Sequence, residues 1–215
     1  MPSRRAALYQ ASRLKPRAAG PLQAAVSFLV SKLSSISPLL GSRRKTWQRV
    51  ENLPMKLISG GQSGVDRAVL DVAVARGIAY GGWCPKGGWA EDFPRPPGLL
   101  AKYPNLKETP LAGPAQRTDW NVRDADACLI VTDTGGLEIS KGTTLAHELA
   151  RRYGKPCFIA NLGEPGVREQ AALWLRAQLD AFVPGLTLAV GGPRESEAPG
   201  IYERAKTFIH SLLDG

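Results

Sequence analysis

The sequence has few residues of the kinds that form disulfides or structural metal sites. Its 215 residues include three cysteines and two histidines, and neither a Cys-x-x-Cys nor a His-x-x-x-His spacing occurs. Because Cys84, Cys128 and Cys157 are odd in number and widely spaced, we expect reduced thiols in a cytoplasmic protein. We therefore predict neither a disulfide-stapled secreted domain nor a protein-built metal site.

Long apolar runs are missing as well, and the first 50 residues contain no acidic side chain. No run reaches 18 uninterrupted apolar residues, so we predict no transmembrane helix. Residues 1–54 hold ten Lys and Arg against the single acidic residue Glu51, and the rest of the chain has 18 basic and 18 acidic residues. The formal net charge of +9 thus belongs to residues 1–54, and we do not expect the remainder to bind nucleic acid.

The basic segment over residues 1–54 has two interpretations. Its richness in Arg, Ser, Ala and Pro is typical of an organelle-targeting presequence. Alternatively, it is a disordered extension translated from a start codon upstream of the natural one, with Met55 as the true beginning. Pro16, Pro21 and Pro38 interrupt any long amphipathic helix and favour the second interpretation. We expect one folded ligand-binding domain over residues 55–215.

The stretch 56–70 predicts a strand, a glycine-rich turn and a helix. An apolar run ends at Ser59, and apolar residues then recur at helical spacing from Val65 until Gly77 stops the helix. The turn lacks the Lys-Ser/Thr of a Walker A loop and the spacing of the dinucleotide fingerprint. Since a helix N-terminus attracts anions, we predict a phosphate site here. Its candidate residues are Gly60, Gly61, Gln62, Ser63, Gly64, Asp66 and Arg67.

The same pattern of strand, polar turn and helix recurs later in the chain. Residues 127–131 are almost wholly apolar, as central parallel strands are, and a polar segment follows before the next predicted helix. A third polar turn, at 191–196, follows the last predicted strand; its Arg194 either neutralises a phosphate or pairs with a nearby carboxylate. We expect one phosphate-bearing ligand between the helix N-termini. The additional candidates are Asp133, Ser140, Gly142, Thr143, Thr144 and Arg194.

The segment 78–114 is dense in Gly and Pro, so we predict a long functional loop or lid with a short strand at 106–109. Its Trp83 and Trp89 either close over a planar ligand or fill the core. The remaining predicted elements are a helix over 117–124 with Thr118 as N-cap, a buried strand over 157–161, a helix over 167–182, a strand over 186–190 and a final helix that opens at Pro199. This alternation predicts an α/β, Rossmann-like three-layer sandwich with a mostly parallel central sheet and helices on both faces.

The motifs at 60–67 (GGQSGVDR), 140–144 (SKGTT) and 192–202 (GPRES followed by PGIY) together resemble those of the molybdenum-cofactor carrier family. That family is a circularly permuted branch of the YpsA-like SLOG proteins, and the resemblance covers about residues 55–213. It implies a Rossmann-like fold, assembly as a homo-oligomer and a pocket for a phosphorylated nucleotide-like or pterin ligand. Molybdenum cofactor (molybdopterin) as cargo is part of the same expectation.

Other SLOG proteins are phosphoribohydrolases, which cleave the N-glycosidic bond of a nucleotide and carry the signature Pro-Gly-Gly-x-Gly-Thr-x-x-Glu. Gly142 and Thr143 match its Gly-Thr, but Ala146 stands at the position of the Glu. Glu148 lies about 200° further round the helix. Binding is therefore favoured over catalysis. The alternatives are a regulatory or scaffold module with a vestigial pocket, or a nucleotide N-glycosidase with another carboxylate: Asp66, Glu91 or Asp92.

Overall fold

Apolar runs alternate with amphipathic segments along the chain and build one parallel sheet between two layers of helices. A computed structural model describes residues 55–214; the predictions for residues 1–54 lie outside this range. The strands are β1 Met55–Ile58, β2 Ala79–Cys84, β3 Leu106–Glu108, β4 Ala127–Thr132, β5 Cys157–Asn161 and β6 Leu186–Gly191. The helices are α1 Val65–Arg76, α2 Leu99–Lys102, α3 Pro114–Arg123, α4 Lys141–Arg152, α5 Val167–Ala181 and α6 Ile201–Leu213.

The strand order β3-β2-β1-β6-β4-β5 places the last strand in the middle of the sheet. All five strand pairs are parallel, and β6 pairs with β1 on one side and with β4 on the other. From β1 the chain moves outward through β2 and β3, and it then crosses to β4 and β5. The loops after β1, β6 and β4 consequently meet at the carboxyl edge, where open α/β sheets bind ligands.

Two hydrophobic layers hold the helices against the sheet. On one face, α1, α5 and α6 pack on the strands through residues such as Val69, Leu175 and Ile209. On the other face, α3 and α4 contribute Val122 and Leu149. β4 is buried along its whole length, as its almost wholly apolar sequence predicts. The predicted three-layer α/β sandwich is confirmed, with a sheet that is parallel throughout.

Within residues 55–214, no helix is both long and apolar enough to cross a membrane.

The glycine- and proline-rich segment contains more regular structure than its composition predicts. β2 runs through Gly81 and Gly82, two residues with low strand propensity, so the prediction of one long loop over residues 78–114 was wrong. A 3-10 turn at Lys86–Gly88 and the short helix α2 follow it. The short strand expected near residue 106 is confirmed as β3.

The starts of two helices and the burial of one strand also differ from the predictions. α3 begins at Pro114 after Gly113, and the hydroxyl of Thr118 donates to the Pro114 carbonyl (3.0 Å) from within the helix instead of capping it. α6 begins at Ile201, because Gly200 takes a left-handed conformation at its N-cap. β5 is an edge strand, so Ile159 is 37% exposed rather than buried.

Candidate functional site

A cleft lies at the carboxyl edge of the sheet, where the chain leaves β1, β6 and β4; we call it the strand-end cleft. Its volume is about 340 Å³, near the lower end of the range for small-molecule pockets. Six of the thirteen predicted site residues line it: Gln62, Asp66, Ser140, Gly142, Thr143 and Arg194. The structure therefore brings all three predicted polar turns to one cavity.

The N-terminus of α4 forms one wall of the strand-end cleft. Ser140 caps the helix, since its hydroxyl accepts a hydrogen bond from the backbone N–H of Thr143 (3.3 Å). No acceptor in residues 55–214 pairs with the backbone N–H groups of Lys141 and Gly142. A Cβ built on Gly142 would meet only the Ser140 hydroxyl, at 3.7 Å, so packing does not require glycine there. The helix thus offers free donors and close backbone approach to an anion.

The side chain of Thr143 adds a further unused polar group to this wall. Thr143 is 2% exposed, and its hydroxyl has no hydrogen-bond partner among the described residues. Buried hydroxyl groups are normally hydrogen-bonded. Thr143 also lines the strand-end cleft, so an unpaired buried hydroxyl belongs to a residue of its wall.

Three cationic side chains surround the same space. Arg194 lies 3.8 Å from Glu197 in a weak contact, and Arg117 is paired with Asp66. Lys141 is exposed and makes no ion pair with any residue between 55 and 214. The cations outnumber the two carboxylates of the lining by one, and this excess favours an anionic ligand.

The ion pair between Asp66 and Arg117 is largely buried. The Arg117 Nη1 lies 2.8 Å from the Asp66 Oδ2, and the two side chains are 16% and 4% exposed, respectively. Burial raises the pKa of Asp66 above its ordinary value, although Arg117 and the backbone N–H groups of Gly192 and Gln62 oppose that shift. The ion pair links the start of α1 to α3, and both of its side chains line the strand-end cleft.

The N-terminus of α1, by contrast, is covered by the turn after β6. The Val65 N–H donates to the Pro193 carbonyl (3.2 Å). Gly64 has a positive φ of 72°, and a Cβ there would lie 2.4 Å from the same carbonyl oxygen. Gly64 is therefore needed because another backbone segment packs on it, and that segment pairs with the Val65 N–H at the start of the helix.

Ser63 and Arg67 face a second cleft, on the other side of α1's first turn, with a volume of about 520 Å³. Arg67 makes a bidentate ion pair with Asp92 (2.7 and 2.9 Å) and also donates to the Gly61 carbonyl. The Ser63 hydroxyl donates to Glu91. These polar side chains thus attach the segment around Glu91 to the first turn.

The remaining predicted residues make internal contacts. Asp133 forms a bidentate ion pair with Arg204 of α6, and the Thr144 hydroxyl donates to the Leu137 carbonyl (2.9 Å). A Cβ on Gly60 would overlap the Arg117 guanidinium. Gly61 is surrounded by leucine side chains. None of these four is among the residues that line the strand-end cleft.

Comparison with known families gave a match over most of the folded domain. The sequence model of the circularly permutated YpsA SLOG family matches residues 57–213. The chain belongs to this family. The match contains every residue that lines the strand-end cleft of this SLOG protein.

One solved structure resembles this SLOG protein in both sequence and fold. It is the crystal structure of a protein named "putative molybdenum carrier protein" from Syntrophus aciditrophicus SB. The two chains are 36% identical, with a TM-score of 0.63 over 73% of this chain and 93% of the other. A comparison with curated proteins gave no match.

Sequence reasoning missed two cationic residues of the cleft in this SLOG protein. Lys141 stands inside the motif SKGTT and lines the cleft, so its position beside Ser140 and Gly142 was a usable signal. Arg117 reaches the cleft only because α3 packs beside it, and its sequence neighbourhood contains no comparable motif. Ala146 also lines the cleft, at the position where the related hydrolases have their Glu.

Proposed function

We propose that this SLOG protein binds the phosphate group of a nucleotide-like or pterin ligand in the strand-end cleft, and that it serves as a carrier of such a ligand. The observation that carries the proposal is the buried, unpartnered hydroxyl of Thr143 beside the free N–H groups of α4. A phosphate oxygen accepts hydrogen bonds from both kinds of donor. Lys141 and Arg194 supply positive charge in the lining of the same cleft.

The unpaired polar groups of this site lower the stability of the free protein. A buried hydroxyl without a partner costs about 1–3 kcal/mol of folding stability. A helix N-terminus attracts a nearby anion by about 0.3–1 kcal/mol, and by up to about 2 kcal/mol in a partly buried site. A bound phosphate therefore turns an unfavourable feature of the free protein into a favourable contact of the complex.

The name of the Syntrophus protein suggests molybdenum as the cargo. In this proposal the metal travels as part of a phosphate-bearing pterin, so the protein holds the organic part of the ligand and needs few metal ligands of its own. Binding without turnover agrees with Ala146, because the wall of the cleft has no carboxylate at that position to assist bond cleavage.

The test compares two threonines with unpartnered buried hydroxyl groups, Thr143 in the strand-end cleft and Thr132 at the end of β4. Thr143→Val and Thr132→Val should each raise the free energy of unfolding by about 1 kcal/mol, since each removes an unsatisfied hydroxyl. Only Thr143→Val should weaken binding of GMP, of a phosphorylated pterin or of inorganic phosphate, by about tenfold or more in isothermal titration calorimetry. Equal affinities of wild type and Thr143→Val would refute the assignment.

Incubation and titration with the same compounds separate the alternative functions. Release of free guanine from GMP, abolished by Asp66→Asn, would favour a nucleotide N-glycosidase that uses the buried carboxylate of the cleft. Failure of the wild type to bind GMP, phosphorylated pterin, phosphate or molybdate would favour a scaffold module with a vestigial pocket.

A further inference from the structure

A shallow groove lies beside the strand-end cleft, on the segment that follows β2; we call it the proline groove. It has a volume of about 440 Å³ and is lined by residues that include Lys86, Trp89, Pro94, Pro96 and Pro114. Pro114 also lines the strand-end cleft. The two cavities therefore share a wall at the first residue of α3.

Trp89 is distinct among the tryptophans that the structure describes. Trp83 packs edge-to-face on Trp120 with ring centroids 4.6 Å apart, and Trp174 packs on Phe158 at 5.7 Å. Trp89 is 36% exposed, and within residues 55–214 its side chain has neither a ring, a cation nor a hydrogen-bond partner. One large aromatic surface thus remains available in the groove.

The backbone that follows Trp89 is held in place. Ala90 is fully buried, and its backbone exchanges two hydrogen bonds with Phe93 (3.2 and 3.0 Å). The Glu91 N–H donates to the side-chain oxygen of Gln62 (2.9 Å), a residue of the strand-end cleft. Trp89 therefore presents an exposed ring from a fixed segment that is hydrogen-bonded to Gln62 of the strand-end cleft. A ring held in this way loses little conformational entropy when it binds a ligand.

The strand-end cleft lacks an aromatic surface of its own. Its described lining contains no Phe, Tyr or Trp, and its apolar part comes from small aliphatic side chains such as Ile130, Leu145 and Ala146. Fused-ring heterocycles are commonly recognised by stacking on aromatic side chains. The phosphate and the ring of one ligand would thus require two neighbouring subsites.

We propose that Trp89 stacks on the fused-ring heterocycle, a purine or a pterin, of the ligand whose phosphate lies at the N-terminus of α4. In this arrangement the ligand extends over Pro114 from the strand-end cleft, and its ring lies in the proline groove. This inference rests on the proposed function, because it takes the phosphate position from it. It adds a residue that determines specificity for phosphates that carry a flat bicyclic ring over phosphates that do not.

The test uses Trp89→Leu and Trp89→Phe in the full chain, with GMP and a phosphorylated pterin as the ring-bearing probes. Ribose 5-phosphate, which has the sugar phosphate without a ring, is the matched probe. Trp89→Leu should weaken binding of the ring-bearing probe by at least about fivefold and leave the affinity for ribose 5-phosphate unchanged. Trp89→Phe, which keeps an aromatic face, should retain most of the affinity. Binding should also quench tryptophan emission more in the wild type than in Trp89→Leu.

The outcomes distinguish the two proposals. Unchanged affinity of Trp89→Leu for a ring-bearing probe that the wild type binds would overturn the stacking site and leave the phosphate site standing. Equal losses for ribose 5-phosphate and the ring-bearing probe would also overturn it, because the effect would then not depend on the ring. If the wild type binds no phosphate probe, the proposed function fails and the stacking site fails with it.

Discussion

Replacing Arg117 with methionine should destabilise the protein strongly, because it leaves the Asp66 carboxylate buried without its partner. The two side chains are 16% and 4% exposed and lie 2.8 Å apart. Removing one member of a buried ion pair typically costs about 3–5 kcal/mol. For a protein of this size, a loss of that order lowers the melting temperature by roughly 6–20 °C.

The loss should depend on pH in a defined direction. Burial already raises the pKa of Asp66, and removal of the Arg117 guanidinium raises it further. A carboxyl whose pKa is higher in the folded than in the unfolded state favours folding below the unfolded value, about pH 4. That contribution disappears as the pH rises through the folded pKa. The destabilisation by Arg117→Met should therefore be smallest in acid and should grow toward neutral pH.

Urea denaturation of wild type and variant at pH 5 and pH 8, followed by circular dichroism, measures this dependence. The double variant Asp66→Asn/Arg117→Met removes both charges, so it should recover part of the lost stability at pH 8. A loss below about 1 kcal/mol that is equal at the two pH values would contradict our description of a buried pair.

Two further predictions concern the charge of the cleft and the core. Lys141→Gln should weaken binding of inorganic phosphate severalfold and reduce its salt dependence in calorimetric titrations, whereas Arg151→Gln, the same change of charge at the other end of α4, should leave both unchanged; equal effects would show that net charge alone matters. Leu175→Ala should lower the free energy of unfolding by about 2–5 kcal/mol, because Leu175 is 4% exposed in the core. Leu173→Ala in the same helix should change it by less than about 0.5 kcal/mol, because Leu173 is 75% exposed; similar losses would mean that α5 packs differently.

Hydrophobic periodicity predicted the elements whose apolar pattern is typical of only one type of secondary structure. β4 is almost wholly apolar and fully buried, and α1 ends at Arg76 with Gly77 as its C-cap, as its spacing indicates. β2 escaped prediction because its pairing with β1 and β3 overrides the weak strand propensity of Gly81 and Gly82. Likewise, no local signal shows that β5 lies at the edge of the sheet, because strand order is a property of the whole chain.

Part of the candidate site likewise follows from local sequence, and the rest depends on the tertiary structure. The motif that contains Ser140, Gly142 and Thr143 predicted a helix N-terminus that the structure places in the lining of the cleft, because local sequence is sufficient to place a helix N-terminus after a strand. The glycine-rich turn before α1 has the same local pattern, yet the Pro193 carbonyl covers it. Only the tertiary structure reveals which of two similar turns stays open, and which cations, such as Arg117, arrive from another helix.

The central position of β6 also has a consequence for how the chain folds. β1 and β4 both precede β6 in the chain, but neither can complete its pairing in the sheet until β6 has been synthesised, because β6 lies between them. Parallel pairing between strands that are distant in sequence folds slowly, since the chain closes a long loop before any contact compensates for the lost entropy. During translation, therefore, the unpaired backbone N–H and C=O groups on the edges of β1 and β4 that pair with β6 remain uncovered until β6 has left the ribosome. Unpaired strand edges promote aggregation, so aggregation is favoured in the interval before β6 is in place.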